Sequence, residues 1–330
     1  MERQPILVTY GAGEKERKLL EEIFGGLAQP TFLKDLSEGQ RGAALGGAGI
    51  LLSFNPIKEL REHEFPSLRN VRFLQLVTAG ADHLPFSLLP PHIRIASNVG
   101  AFAAPMAEHI LAMAMALAKR LLVSHSKLAA GEFDHRTPNR LLRGSVAGLL
   151  GFGGIGRAGA RLLRGLDMKI YGINTSGQTS DPVDFIGTLD DLEHVLRSSD
   201  VVVVALPLTR RTLGLLGSRE LSWMKPDAIL INVARGEIVD ERALYKHLQG
   251  HPNFMAGIDA WWIEPLRHGE FRINYPFFEL PNFLGSPHNS AVVPEIMVEA
   301  ARYAAENVLR FLTGKPIAGR VRREDYASPD

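Results

Sequence analysis

The sequence predicts an α/β protein made of two doubly wound parallel-sheet domains, and three observations carry that prediction. Short apolar runs alternate with amphipathic segments along most of the 330 residues. A glycine pattern, Gly151-Phe152-Gly153-Gly154-Ile155-Gly156, stands between a predicted strand and a predicted helix. A long apolar helical stretch over residues 106–127 separates one set of alternating elements from the next.

Taken in order, Ile6-Leu7-Val8-Thr9-Tyr10 reads as a strand and residues 15–24 as an amphipathic helix. Gly49-Ile50-Leu51-Leu52-Ser53 and Phe73-Leu74-Gln75-Leu76-Val77 read as further buried strands, each ending in a loop. Asn98-Val99-Gly100 opens an irregular segment, after which Pro105 suits a helix start. Between residues 106 and 127, Ile110, Met113, Leu117 and Leu121 keep three- and four-residue spacing, and Gly131 suits the stop. The second unit is predicted as a strand at 145–150, a helix at 156–166 and a strand at 169–173. Thr188-Leu189-Asp190-Asp191 resembles a capped helix start, and Val201-Val202-Val203-Val204-Ala205 is a strand apolar on both faces. Two more strands follow at 229–233 and 255–259, with a helix at 240–248 between them. A last helix at 294–312 is expected to return to the first domain. The predicted division is therefore residues 1–98 with 293–330, and residues 99–292.

Composition narrows the function classes. Hydrophobic residues make up 45% and charged residues 22% of the chain, the balance of a globular protein with real cores. Net charge is +1 without a basic run or acidic tail, so neither nucleic acid nor a membrane is expected as partner. The absence of cysteine removes disulfides, thiolate chemistry and cysteine-ligated metals, and no metal site is expected. No signal peptide is visible at Met1-Glu2-Arg3-Gln4-Pro5, which makes the cytoplasm the default location.

The glycine pattern assigns three separate jobs. Gly151 allows the tight turn, Gly153 lets backbone approach a pyrophosphate, and Gly156 lets helix pack on strand, with the phosphate at the helix N-terminus. Gly154 and Ile155 complete the phosphate-facing loop. An acidic residue is expected about 20 residues on, at the end of the next strand, to hold the ribose hydroxyls. The sequence there is Asn174-Thr175-Ser176-Gly177. An amide does not repel a 2′-phosphate and the two hydroxyls offer donors, so NADP is favoured over NAD, with Arg210 or Arg211 as candidate cations. NAD held through one amide hydrogen bond is the alternative.

With these features in place, the chain resembles the D-isomer-specific 2-hydroxyacid dehydrogenases, the family of glyoxylate/hydroxypyruvate reductases and phosphoglycerate dehydrogenases. The resemblance runs through Ala79-Gly80-Ala81-Asp82, Ala107-Glu108-His109, the glycine pattern, Leu206-Pro207-Leu208-Thr209, Ile231-Asn232-Val233-Ala234-Arg235-Gly236-Glu237-Ile238-Val239-Asp240, Gly257-Ile258-Asp259 and Ser286-Pro287-His288. It implies a flavodoxin-like substrate domain beside a Rossmann nucleotide-binding domain. It also implies NAD(P)H-dependent reduction of a small 2-keto acid to the D-2-hydroxy acid. By position, Arg235 is expected to bind substrate carboxylate and carbonyl oxygen, His288 to move the proton, and Glu264 to favour the imidazolium form. Asp259 is expected to anchor the nicotinamide carboxamide. Leu206, Pro207, Thr212, Val233 and Ala234 are expected along the cofactor. Backbone N–H groups of the Ala79-Gly80 turn are expected on the substrate carboxylate, with domain closure joining the two half-sites.

Taken singly, an arginine after a strand is a solvated surface residue, a Glu-Pro is a turn, and His109 or His125 on a helix is a packing or surface histidine. Trp261 and Trp262 are either core aromatics or the lining of the pocket. The stretch from Glu264 to His288 is long for the family and rich in aromatics (Phe271, Tyr275, Phe277, Phe278), which leaves aromatic keto acids beside glyoxylate and hydroxypyruvate. The formate branch carries glutamine where this chain has Glu264, which argues against formate. A phosphoglycerate dehydrogenase with a regulatory domain is disfavoured because the sequence ends soon after Gly314. The competing class is a nucleotide-sensing binding protein, like the corepressors that share the fold. The resemblance also implies a homodimer, for which the apolar face of 106–127 and the arm to Leu142 could supply the contact, intramolecular packing being the ordinary reading of that face.

Overall fold

Apolar runs of three to five residues bury both faces only by lying side by side under helices. They do so in the computed structural model, which describes residues 5–326. The chain opens with β1 (Ile6–Val8), α1 (Glu14–Phe24), β2 (Pro30–Phe32), α2 (Glu38–Gly47), β3 (Ile50–Ser53), α3 (Pro56–Glu59), β4 (Phe73–Leu76) and β5 (Arg94–Ala96). Next come α4 (Ala103–Ala118), α5 (Leu121–Ala129), β6 (Val146–Leu150), α6 (Gly154–Arg164), β7 (Lys169–Ile173) and β8 (Phe185–Gly187). The series continues with α7 (Leu192–Ser198), β9 (Val201–Val204), α8 (Ser218–Trp223), β10 (Ile229–Asn232), α9 (Glu241–Gly250), β11 (Met255–Ile258), α10 (Pro265–His268) and β12 (Phe283–Gly285). It closes with α11 (Ile296–Leu312) and β13 (Arg320–Val321). Two units result, residues 5–102 with 293–326, and residues 103–292. Residues 1–4 and 327–330, which the expected first domain includes, lie outside the described residues.

The first unit holds a six-stranded sheet in the order β13-β5-β4-β3-β1-β2. Its five core strands are parallel and only β13 runs antiparallel, against β5. The order 2-1-3-4-5 is that of a flavodoxin-like sheet. Strand alternation splits its core in two. Ile6, Val8, Ile50, Leu52 and Phe73 face α1 and the alanine face of α11 (Ala300, Ala301, Ala304, Ala305). Leu7, Leu51, Leu74 and Leu76 face Leu45 of α2 together with Phe65 and Leu68.

The second unit holds a seven-stranded sheet in the order β12-β11-β10-β9-β6-β7-β8, parallel throughout. Numbered from β6, it reads 7-6-5-4-1-2-3, the Rossmann order with one added strand. The order reverses between β6 and β9, so the crevice at their carboxyl ends is where such sheets take ligands.

Three expectations change. The helix predicted over 106–127 is two helices, because Arg120 adopts the left-handed region (φ 51°). Apolar periodicity carries across such a break, since one residue's φ leaves the pattern on either side intact. The helix after the glycine pattern starts at Gly154, two residues earlier than predicted, so its first turn lies inside the pattern. Strands β2, β5, β8, β12 and β13 were not among the predicted elements. Each has two or three residues, too short for a period of two to show, and β2 begins with a proline, which an edge position tolerates. Elsewhere Asp240 caps α9, accepting from the Ala243 N–H at 2.7 Å, and Thr188 accepts from the Asp190 N–H at 3.3 Å.

Candidate active site

The glycine loop is built for close approach. Gly151 has φ +102°, and a Cβ there would lie 2.5 Å from the Ala205 carbonyl oxygen at the end of the neighbouring strand. A Cβ on Gly156 would collide with the Gly151 carbonyl oxygen, so helix and turn touch there. A Cβ on Gly153 would meet nothing within 4 Å, because the loop faces outward there. Gly153 caps α6 without a side-chain hydrogen bond. The N–H groups of the first helical turn, including Gly154 and Ile155, therefore point at open space with the positive end of an 11-residue helix behind them. The cradle fits a pyrophosphate.

The other residues expected along a cofactor follow the carboxyl ends of strands in the same sheet. Asn174 ends β7, but its side chain is engaged by its own loop. It accepts from Ser176 and Gly177 N–H (3.0 and 2.7 Å) and donates to the Gln178 carbonyl (2.8 Å). Thr175 and Ser176 are exposed. A pair that sequence reasoning missed ties α6 to the β7–β8 connection: Arg157, on α6, sits 2.6 Å from Asp181. Past β9, Leu206 is half-buried and Pro207 exposed. Thr212 is buried and holds that loop, donating to the Pro207 carbonyl at 2.7 Å and accepting from the Thr209 N–H at 2.8 Å. Val233 and Ala234 are buried past β10.

Arg235, Glu264, His288 and Asp259 come together at the carboxyl ends of β10, β11 and β12. His288 Nδ1 is 2.7 Å from Glu264 Oε2. Glu264 is only 4% exposed. Burial opposes its charge, but the His288 hydrogen bond, the Trp261 N–H and the Arg235 guanidinium together hold its carboxyl below the ordinary glutamate value. An ionised glutamate on Nδ1 leaves Nε2 as the ring nitrogen available for proton transfer. His288 itself is left-handed (φ 49°), a strained conformation for a non-glycine residue.

Asp259 maintains that conformation. It is fully buried, and Oδ1 accepts from the Ser286 hydroxyl at 2.6 Å and the Asn289 N–H at 3.1 Å, while Oδ2 accepts from the Ser290 N–H at 3.2 Å. Burial opposes ionisation here too, yet these donors and the nearby His109 hold the carboxyl below its usual value.

Further contacts fix the loops that carry Arg235, Glu264 and His288. Asn232, at the end of β10, donates to the Arg235 carbonyl (2.8 Å) and accepts from the Ala234 N–H (3.0 Å). A Cβ on Gly236 would collide with the Trp261–Trp262 peptide, so the arginine loop lies directly against the glutamate loop. The Trp261 indole donates to the Ser286 carbonyl at 2.8 Å and that of Trp262 to the Val239 carbonyl at 2.7 Å. Both tryptophans are structural clamps. Much of the aromatic stretch backs them: Phe277 stacks on Trp262 at 5.5 Å, and Phe271 meets Trp261 edge-on at 5.2 Å. Asn232 and Ser286 were missed as site residues. The available signal was a polar residue closing the apolar run Ile229-Leu230-Ile231, and a hydroxyl two residues before the histidine.

In the other unit, Ala79 and Gly80 are half-buried in the turn after β4, where the Thr78 hydroxyl donates to the Gly80 carbonyl at 3.0 Å. Among the described residues no helix is long and apolar enough to cross a membrane.

A glycine cradle at the switch point of a Rossmann sheet, with an ordered Glu–His pair past β11 and β12 of the same sheet, defines a nucleotide-binding α/β protein with a candidate acid–base pair. Residues 111–290 match the family model for the D-isomer specific 2-hydroxyacid dehydrogenase NAD-binding domain. The chain belongs to the D-isomer specific 2-hydroxyacid dehydrogenase family. It is 33% identical to a glyoxylate reductase of Thermococcus gammatolerans over 63% of each chain. It is 32% identical to a glyoxylate reductase of Aeropyrum pernix over 70% of each. Similarity to the first relatives thus spans somewhat under two thirds of their length. A solved structure of a glycerate dehydrogenase related protein from Thermoplasma acidophilum superposes with a TM-score of 0.63 at 27% identity, covering 93% of this chain and 99% of that one.

Proposed function

We propose that this protein reduces a small 2-keto acid to the D-2-hydroxy acid with a reduced nicotinamide cofactor. The observation that carries the reading is the 2.7 Å pair of His288 with a buried, ionised Glu264, held beside Arg235 on the edge that carries the glycine cradle. The cofactor, when bound, supplies the hydride. Arg235 holds the substrate carboxylate and carbonyl oxygen through its planar fork. His288, hydrogen-bonded through Nδ1 to Glu264, gives the proton that the reduced carbonyl oxygen needs and takes it back in oxidation. Asp259, whose oxygens already accept from Ser286, Asn289 and Ser290, is proposed to anchor the nicotinamide amide from that fixed position. Ala79 and Gly80 are proposed to offer N–H groups to the substrate carboxylate.

Glyoxylate and hydroxypyruvate are proposed as substrates, in keeping with the names of the relatives. NADP is favoured over NAD because the residue after β7 is Asn174 rather than a carboxylate. The 106–118 part of the expected contact face is buried within its own unit, with Ile110, Met113 and Leu117 inside, so a homodimer is proposed through residues 121–141, where Leu121, Leu122, Leu128, Leu141 and Phe133 (80% exposed) present apolar surface.

The test follows reduced-nicotinamide absorbance with glyoxylate, hydroxypyruvate, pyruvate and phenylpyruvate, using NADPH and NADH in parallel, for wild type and His288→Ala. Turnover favouring NADPH that collapses in the variant is the expected result. NADH preference overturns the cofactor reading alone. Cofactor binding without turnover of any keto acid gives the protein to the nucleotide-sensing class.

A further inference from the structure

His109 lies on α4, far in sequence from the proposed triad, and the triad's chemistry does not use it. Its Nε2 is 2.9 Å from the Ser286 hydroxyl, which in turn donates to Asp259 Oδ1 at 2.6 Å. His109 Nε2 and Asp259 Oδ1 are 3.7 Å apart, so the hydroxyl is the bridge between them. A serine hydroxyl has one proton, and here the buried carboxylate takes it. Toward His109 the same oxygen can only accept, which requires the proton of His109 on Nε2. The result is a directed chain, His109 N–H to Ser286 O–H to Asp259 carboxylate. Its far end accepts the N–H groups of Asn289 and Ser290, the two residues that directly follow the strained His288. Ser286 is also held through its carbonyl by the Trp261 indole.

We propose that His109 is a positioning residue for His288, acting through Ser286 and Asp259, an inference that rests on the reductase reading above. The physical reason is the cost of the left-handed turn. His288 keeps φ 49° only while the N–H groups of the two residues after it have a fixed, charged acceptor, and Asp259 stays fixed only while Ser286 is oriented. Without the His109 N–H the Ser286 hydroxyl is free to rotate, and the imidazole is no longer held at the angle proton transfer needs.

The experiment compares His109→Leu, which removes the donor, with His109→Gln, whose amide N–H reaches a similar distance. It also compares Ser286→Ala with Ser286→Thr. Turnover is measured with glyoxylate and reduced cofactor, cofactor affinity by fluorescence titration, and folding by circular dichroism. The leucine and alanine variants are expected to lose roughly 10- to 100-fold in kcat. KM and cofactor Kd should move less than about threefold, and the glutamine and threonine variants should recover most of kcat. Nitrogen-15 spectra of the cofactor-free wild type should show His109 protonated at Nε2. Unchanged kcat in His109→Leu, no recovery in His109→Gln, or an Nδ1-protonated His109 overturns the relay. If His109→Leu fails to fold, the two serine variants decide by the same criteria. Absence of turnover in wild type overturns the reductase reading and the relay with it, whereas normal wild-type turnover with an indifferent His109→Leu overturns the relay alone.

Discussion

A Cβ at Gly151 would press on the Ala205 carbonyl, while one at Gly153 would face open space. These two glycines therefore fail in different ways. Gly151→Ala combines a left-handed backbone with a clash and should cost on the order of 1–3 kcal/mol of stability. Gly153→Ala should melt with wild type yet bind cofactor roughly tenfold more weakly, about 1.4 kcal/mol. Thermal melts beside cofactor titrations check the pair, and equal melting of both variants would remove the distinction. The same logic governs Glu264. Its carboxylate is buried and ionised against His288, so Glu264→Gln keeps the shape but loses the charge. A fall of about 100-fold in kcat with a near-normal cofactor Kd is expected from steady-state kinetics and titration.

At the scale of one element, α9 carries a pH-sensitive contact. His247 sits in its last turn, stacked on His251 at 4.1 Å and edge-on to Phe254 at 4.5 Å, with Nε2 buried and unpartnered. Burial, helped by the nearby His251, pushes its pKa down to about 4 from the ordinary 6.5. Because the folded value is the lower one, the unfolded chain binds the proton first as pH falls. Stability should drop between pH 6.5 and about 4 by an amount on the order of 1–3 kcal/mol, then stop changing on this account. Denaturant unfolding of His247→Phe should show a shallower loss over that window. The α4–α5 junction offers a second test. Arg120 holds a left-handed conformation that glycine adopts without strain, so Arg120→Gly should raise stability by about 1 kcal/mol in the same assay.

At the scale of the whole chain, the first sheet is completed from both ends of the sequence. The face of α11 on that sheet is alanine, with Ala300, Ala301, Ala304 and Ala305 fully buried. Small side chains set a close helix–sheet distance that larger ones cannot share. Ala304→Leu should destabilise the protein by about 1–3 kcal/mol without changing the cofactor Kd, because the cradle belongs to the other unit. For assembly, Leu122→Asp with Phe133→Glu should convert the proposed dimer to a monomer by light scattering. A wild type that already scatters as a monomer at micromolar concentration would end that proposal.

The sequence by itself determined the α/β class, the buried strands and the glycine loop, while Arg235, Glu264 and His288 were nominated by the family resemblance and remain proposals. Those features are local: a period along the chain, a glycine between strand and helix, a charged residue at a strand end. What only the tertiary structure decided was how these residues are held. The left-handed turns at Arg120 and His288, the loop-bound amide of Asn174, the Arg157–Asp181 pair and the His109–Ser286–Asp259 chain depend on groups far apart in sequence. Trp261 and Trp262 were open to two roles in the sequence. Their indole N–H groups reach carbonyls 25 and 23 residues away, and only the packed sheet makes those carbonyls their partners. Hydrogen-bond partners follow from distance in space, which chain spacing does not encode.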